Sequence, residues 1–98
     1  MEKSRAIEIL RAHADELKRR GVTGLYLFGS TARGDASSDS DVDVFFDYHQ
    51  DGHFSLFDVM DIHVYVETVL ETKADVIPRN SLHRRIRARI VSEATKVF

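Results

Sequence analysis

Apolar residues recur at helical spacing near both ends of the chain and in its middle. Residues 3–20 and 55–70 each carry such a pattern, and Gly21 stands where a helix commonly ends. Ser81 is expected to cap a third helix that runs to residue 97. The apolar stripes of the first and last helices are Ala6, Ile7, Leu10, Ala14 and Leu17, and Leu82, Ile86, Ile90, Ala94 and Val97.

Short apolar runs between these helices predict strands. Leu25–Phe28 is bounded by glycines, Asp41–Tyr48 is rich in valine and aromatic residues, and Lys73–Pro78 ends at a proline. The pair Asp51-Gly52 is a turn signal. Helices that alternate with strands are typical of an α/β fold, here with about three to four strands flanked by helices.

Composition fits one small domain spanning residues 1–98. The chain is 43% hydrophobic and 31% charged, as in ordinary globular proteins. Because it lacks cysteine, it has neither a disulfide framework nor a zinc-thiolate site. No apolar run has membrane-spanning length and the N-terminus lacks a signal-peptide core, so we expect no membrane association and a cytoplasmic location.

The net charge is −2, but acidic and basic residues are unevenly distributed along the chain. Residues 34–78 carry eleven acidic side chains and one basic side chain, Lys73, whereas residues 79–89 carry five arginines and no acid. Proteins that bind nucleic acid usually have a basic surplus. A long nucleic acid is therefore a disfavoured substrate, although the arginines of the last helix could bind a local stretch of phosphate or form a solvated face.

Gly29 and Ser30 follow directly after the first predicted strand. A glycine lets the backbone turn and approach a ligand closely, and the serine offers a hydroxyl and an amide to phosphate oxygens. The same dipeptide could instead be a helix N-cap. A Walker-type phosphate loop is excluded because Asp35 stands where that motif requires lysine.

Asp41 and Asp43 are two residues apart on a predicted strand, so their carboxylates project to the same face. Their mutual repulsion favours a shared cation. An EF-hand calcium loop that starts at Asp39 is excluded, because Val44 and Gln50 replace its glycine and its glutamate. Asp39 is interpreted as a solvated loop residue, and the predicted ligands are Mg²⁺ and a nucleoside triphosphate, ATP.

The spacing of these motifs resembles that of the nucleotidyltransferase superfamily to which DNA polymerase β belongs: Gly-Ser, about ten residues, then Asp-x-Asp. Gly-Ser-Thr-Ala-Arg-Gly-Asp and Ser-Asp-Ser-Asp-Val-Asp-Val are similar to the minimal nucleotidyltransferases, MntA-like antitoxins encoded beside HEPN toxins. The similarity continues through residues 74–77 and 82–87, so it covers nearly the whole chain.

The resemblance implies a nucleotidyltransferase fold and assigns roles to individual residues. Asp75 matches the third carboxylate, which joins Asp41 and Asp43 at the metal and takes the proton of the attacking hydroxyl. Gly29 and Ser30 would grip the β/γ phosphates. Three other carboxylates compete with Asp75 for this role: Asp47, Asp58 and Asp61. Four histidines are interpreted as surface or packing residues: His49, His53, His63 and His83.

Arg33 is the basic side chain within the motif, and two roles remain open for it: contact with a triphosphate oxygen or a structural salt bridge. The implied reaction is transfer of AMP from ATP to a tyrosine of the partner HEPN toxin, within a complex of the two proteins. Two alternatives are an antitoxin that acts by binding alone and an enzyme that modifies a small molecule. The second alternative is disfavoured because the chain has no residues left to form a substrate domain.

Overall fold

Four strands form one mixed sheet in the spatial order β3-β2-β1-β4. A computed structural model describes residues 1–35 and 41–98, so Asp39 lies outside the described residues. The central pair β1–β2 is antiparallel, β3 runs parallel to β2, and β4 runs antiparallel to β1. The strands are β1 (Val22–Phe28), β2 (Val42–Tyr48), β3 (Ala74–Pro78) and β4 (Thr95–Lys96).

Three of the helices pack against one face of the sheet. The helices are α1 (Lys3–Ala12), α2 (Ala14–Arg19), α3 (Gly29–Arg33), α4 (Leu56–Leu70) and α5 (Arg87–Glu93). Side chains of α1, α2 and α4 share a hydrophobic core with alternate residues of the strands. In this core, Leu10, Leu17, Leu25, Val44 and Ile62 are fully buried. We call this side of the sheet the core face and the opposite side the open face.

The N-terminal helical segment differs from its prediction at one point. The expected helix over residues 3–20 is broken at His13, whose Nδ1 donates a hydrogen bond to the carbonyl oxygen of Ile9 at 2.8 Å. Gly21 follows the end of α2 with a φ of +107°, as the helix-end prediction requires. Among residues 1–35 and 41–98, no helix is long and apolar enough to cross a membrane.

The C-terminal prediction is wrong. Ser81 does not cap a long helix, because Arg79–Ser81 is a 3₁₀ turn and the last helix begins at Arg87. The helix ends at Glu93, and the chain then pairs with β1, where the amide of Val97 donates to the carbonyl oxygen of Leu25 at 2.8 Å. An unpaired edge of β1 would leave backbone donors and acceptors without partners, and this pairing satisfies them.

Candidate active site

Gly29 forms the turn between β1 and α3, and two features of the backbone require glycine at this position. Its φ angle is +71°, in the left-handed region that other residues rarely adopt. A Cβ built on Gly29 would overlap Oδ2 of Asp43 and would lie 3.1 Å from Cγ of the same side chain. The backbone of this turn therefore lies against the Asp43 carboxylate with no side chain between them.

Three residues on adjacent strands form a row across the open face. Phe28 of β1 pairs with Asp43 of β2, and Asp43 pairs with Asp75 of β3. Because side chains that lie directly opposite each other point to the same face of a sheet, all three project onto the open face. Asp43 is half-buried, and Asp75 is exposed on the edge strand. The register thus brings together two of the three aspartates predicted from sequence.

The electrostatic environment of Asp43 is unfavourable to its ionised form. The pKa of its carboxyl is raised from 3.8 to about 6, and burial is the largest cause. A hydrogen bond to Asp75 and the negative charges of Asp75 and Asp41 contribute to this rise, whereas the positive charge of Arg33 opposes it. A carboxylate crowded by like charges is one that a cation would stabilise.

Asp41 lies directly before β2 and is exposed. Its negative charge contributes to the raised pKa of Asp43. Within the described ranges, however, no group of three or more acidic or histidine side chains is placed to hold a metal ion. Two of the predicted metal ligands, Asp43 and Asp75, are adjacent on neighbouring strands, and the third, Asp41, directly precedes β2. Mg²⁺ is commonly held by one or two carboxylates together with substrate phosphates, which is compatible with this arrangement.

Ser30 and Arg33 lie on α3, next to this row. The carbonyl oxygen of Ser30 accepts a hydrogen bond from the amide of Asp35 at 3.0 Å, which closes the turn after the helix. Nε of Arg33 is 3.3 Å from Oδ2 of Asp35, and the side chain is 52% exposed. Arg33 thus makes the salt bridge that was one of its two open roles, and its charge also acts on Asp43.

The carboxylates that compete with Asp75 are engaged elsewhere. Asp47 accepts two hydrogen bonds from Arg79, from Nε at 2.7 Å and from Nη2 at 3.1 Å. Asp58 accepts a hydrogen bond from the amide of Ser55 and completes the capping box of α4. Asp61 lies 2.7 Å from Nη1 of Arg20. These partners assign structural roles to all three.

A groove opens beside the turn, between α3 and α5. Its volume is about 180 Å³. The residues that line it are Phe28, Gly29, Arg33, Ile86, Arg89, Ile90 and Glu93. Sequence reasoning missed this groove, because it placed Ile86 and Ile90 in the core stripe of a long helix. No local signal was available, because two isoleucines four residues apart with arginines between them also fit an ordinary amphipathic helix.

A family model for the nucleotidyltransferase domain matches residues 10–97. The chain belongs to this family. Among curated proteins, the protein adenylyltransferase MntA of Thermococcus cleftensis is 36% identical to this nucleotidyltransferase over 90 residues, which cover 91% of this chain and 89% of the relative. The family predicted from the Gly-Ser and Asp-x-Asp motifs is therefore confirmed.

Solved structures give the same fold. One described as a minimal nucleotidyltransferase is 28% identical, with a TM-score of 0.75, and the match covers 97% of this chain and 95% of that one. A second contains a tri-AMPylated HEPN toxin of Shewanella oneidensis in complex with an MNT antitoxin; it matches with a TM-score of 0.65 at 13% identity, over 94% of this chain and 71% of that one. The predicted α/β fold is thereby confirmed.

Proposed function

We propose that this nucleotidyltransferase transfers AMP from ATP to the hydroxyl of a tyrosine in a partner HEPN toxin, and so acts as an antitoxin. One observation carries the proposal: Asp43 and Asp75 are in register on the open face, and the Gly29 backbone lies against Asp43. A purely structural site would gain nothing from two adjacent, like-charged carboxylates. The curated relative named as a protein adenylyltransferase supports the same reaction.

A divalent cation fits this set of residues. Carboxylate oxygens are the ligands that Mg²⁺ prefers, and a cation would offset the charge that raises the pKa of Asp43. The residues that would hold it are Asp41 and Asp43, with Asp75 beside them. When bound, the ion would neutralise charge on the transferring phosphoryl group and the leaving group.

The chain's own residues account for the remaining requirements of the transfer. Phosphates would contact the Gly29 backbone and the Ser30 hydroxyl, and Arg33 would exchange its exposed contact with Asp35 for a phosphate oxygen. The acceptor oxygen then attacks the α-phosphorus and forms the new P–O bond, while the bond to the β-phosphate oxygen breaks and pyrophosphate leaves. Asp75 takes the acceptor proton.

The position of Asp75 indicates the side from which the acceptor approaches. β3 is an edge strand, and Asp75 is exposed on it, whereas Asp43 lies one strand further in. A protein side chain that approaches this edge of the sheet can therefore reach Asp75 from solvent. The acceptor loop of the toxin would lie along β3, opposite the Gly29 turn.

The experiment uses two labels on ATP, with Mg²⁺, this chain and its HEPN toxin. Label at the α-phosphate should appear on the toxin, and label at the γ-phosphate should be released with pyrophosphate. Asp43→Asn, which preserves the shape of the side chain, should abolish both the transfer of label to the toxin and the inactivation of the toxin. If Asp43→Asn still silences the toxin while no label is transferred, the chain acts by binding alone, and the proposed reaction is wrong.

A further inference from the structure

One side of α4 exposes a row of large apolar side chains to solvent. Phe57, Met60 and Val64 follow one another at spacings of three and four residues, so they form one stripe along the helix. Leu56 lies beside its first turn, and we call these four residues the α4 stripe. In the described part of the chain, four of the five exposed large hydrophobic residues belong to it, so this exposure is concentrated in one patch.

The opposite side of α4 already packs in the hydrophobic core. Ile62, Val66 and Leu70 are buried there, whereas Phe57 is 82% exposed. A surface helix needs only one apolar side for folding, and a second one in water is unfavourable unless a partner covers it. We propose that the α4 stripe docks the partner toxin, through a toxin surface that carries apolar and basic side chains. The inference rests on the proposed function, which names that toxin as the acceptor.

The charge of this helix indicates the sign of the surface that it recognises. Residues 55–72 carry no lysine or arginine and four acidic side chains: Asp58, Asp61, Glu67 and Glu71. Asp61 is paired with Arg20, and Glu71 is exposed directly after the helix. Acidic surfaces attract basic partners and repel acidic ones. A second copy of this chain would bring two acidic helices together, so charge favours a basic partner over self-association.

The size of the α4 stripe also argues against a second copy as the occupant. Burial of its four side chains would remove on the order of 400 Å² from solvent on this chain. Two copies that met only through the stripe would bury roughly 800 Å² together, below the roughly 1,200–2,000 Å² of a stable specific interface. The stripe therefore suits one part of a larger interface with a different protein.

α4 is directly connected to the strand that carries Asp75. It packs on β3, the edge strand of the sheet. The amide of Ala74, the residue before Asp75, donates a hydrogen bond to Oε2 of Glu67 on α4 at 3.0 Å. A toxin held on the outer side of α4 would thus be fixed relative to β3, from which the acceptor hydroxyl is proposed to approach. Docking surface and acceptor side are therefore continuous.

The first test measures toxin binding in the absence of nucleotide. Calorimetric titrations of the full chain with its HEPN toxin, without ATP and Mg²⁺, would compare wild type with Phe57→Ser and Met60→Ser. We expect each substitution to raise Kd by about tenfold or more, because a few anchor side chains dominate protein interfaces. Ile86→Ser, at an exposed isoleucine outside the stripe, is the matched control and should leave toxin affinity unchanged.

Opposite charges at one position test the sign of the toxin surface. Val64→Lys and Val64→Glu both place a charge in the stripe, and a basic surface repels the first and attracts the second. We expect Val64→Lys to weaken binding about tenfold more than Val64→Glu. The difference should narrow at about 1 M salt, where charges are screened within about 3 Å. A larger loss with Val64→Glu, or equal losses at low salt, would contradict a basic partner surface.

The outcomes separate this inference from the proposed function. Unchanged toxin affinity in Phe57→Ser and Met60→Ser would overturn the docking site, and the proposed function would stand if AMP is still transferred. Toxin binding that depends on the stripe, without any transfer of AMP, would do the reverse. Sedimentation of the chain alone should show a monomer, and a dimer that Met60→Ser dissociates would assign the stripe to a second copy and overturn the inference. Wild-type chain that neither binds nor modifies the toxin would overturn both.

Discussion

Asp43 and Asp47 lie on the same strand and the same face of the sheet, four residues apart, and their surroundings differ. Asp47 accepts two hydrogen bonds from Arg79, whose guanidinium group also stacks over Tyr26, 4.9 Å from the ring centroid. Asp43 faces Asp75 on the next strand and the Gly29 backbone on the other side. One end of β2 thus carries a paired carboxylate and the other end a crowded one.

This difference in surroundings distinguishes a structural carboxylate, Asp47, from a candidate functional one, Asp43, without any knowledge of the reaction. A fold that needed only stability would give Asp43 a partner like Arg79, since a paired charge costs less than a crowded one. Arg33 is the nearest candidate, but its side chain contacts Asp35 instead. A bound cation would therefore stabilise the crowded end of β2 more than the paired end.

The largest effect is expected at the crowded end. Asp41→Asn and Asp43→Asn should each reduce AMP transfer by at least about a thousandfold, because a metal ion contributes several kcal/mol to the stabilisation of the transition state. Folding should be intact, as judged by circular dichroism. Transfer rates with labelled ATP test this directly, and near-normal transfer by either variant would contradict the shared-cation mechanism.

Asp75→Asn should have the next largest effect. Loss of a general base typically lowers turnover by about a hundredfold or more, whereas ATP affinity should change much less, because Asp75 is proposed to act on the acceptor. The measurement is kcat together with the dissociation constant of ATP. If affinity and turnover fall by the same factor, Asp75 is a structural or purely metal-binding residue and not a base.

A substitution at the paired end of β2 should lower stability and leave activity unchanged. Asp47→Asn should lower the free energy of unfolding by about 1–2 kcal/mol, because it weakens two charge-assisted hydrogen bonds from Arg79. AMP transfer per folded molecule should stay close to wild type. Urea denaturation and the transfer assay measure the two quantities on the same preparation. A folded Asp47→Asn protein without activity would show that the two ends are not separate in function.

The smallest expected effect is a pH dependence of stability. Since the pKa of Asp43 is raised from 3.8 to about 6 on folding, the folded state binds a proton more tightly than the unfolded state. The contribution of Asp43 to stability is therefore fully present below about pH 4 and is lost as the pH rises through about 6.

Asp43→Asn tests this sign in metal-free buffer. At neutral pH the variant should be more stable than wild type by about 1 kcal/mol, discounted for the solvent that still reaches the carboxyl, which corresponds to about 5 °C in Tm. The difference should vanish near pH 4 and shrink on addition of Mg²⁺. A Tm difference that does not change with pH would contradict the proposed crowding.

Sequence patterns predicted the parts of this molecule that depend on local order. Glycines and apolar periodicity located β1, α4 and the end of α2, and the spacing from Ser30 to Asp41 identified the family. The C-terminal segment was mispredicted because Val97 is buried by strand pairing with β1, although it also fits a helical stripe. Tertiary context overrode a local pattern there.

Pairings between strands could not be read from the sequence. The antiparallel β1–β2 pair and the parallel β2–β3 pair together place Phe28, Asp43 and Asp75 in one row, and this depends on registers that no local pattern specifies. The partner of Asp47 was likewise hidden, since Arg79 lies 32 positions away in the chain. The residue types of the site were thus predictable, and their neighbours were not.

Gly29 gives this site a handedness at a single carbon atom. The α-hydrogen that an L-residue would replace by Cβ faces the Asp43 carboxylate. A D-residue favours the positive φ of this position and would direct its methyl group to the opposite side of the carbon. A chain of 98 residues is short enough for chemical synthesis, and D-alanine at position 29 would avoid the overlap with the Asp43 carboxylate that L-alanine would make.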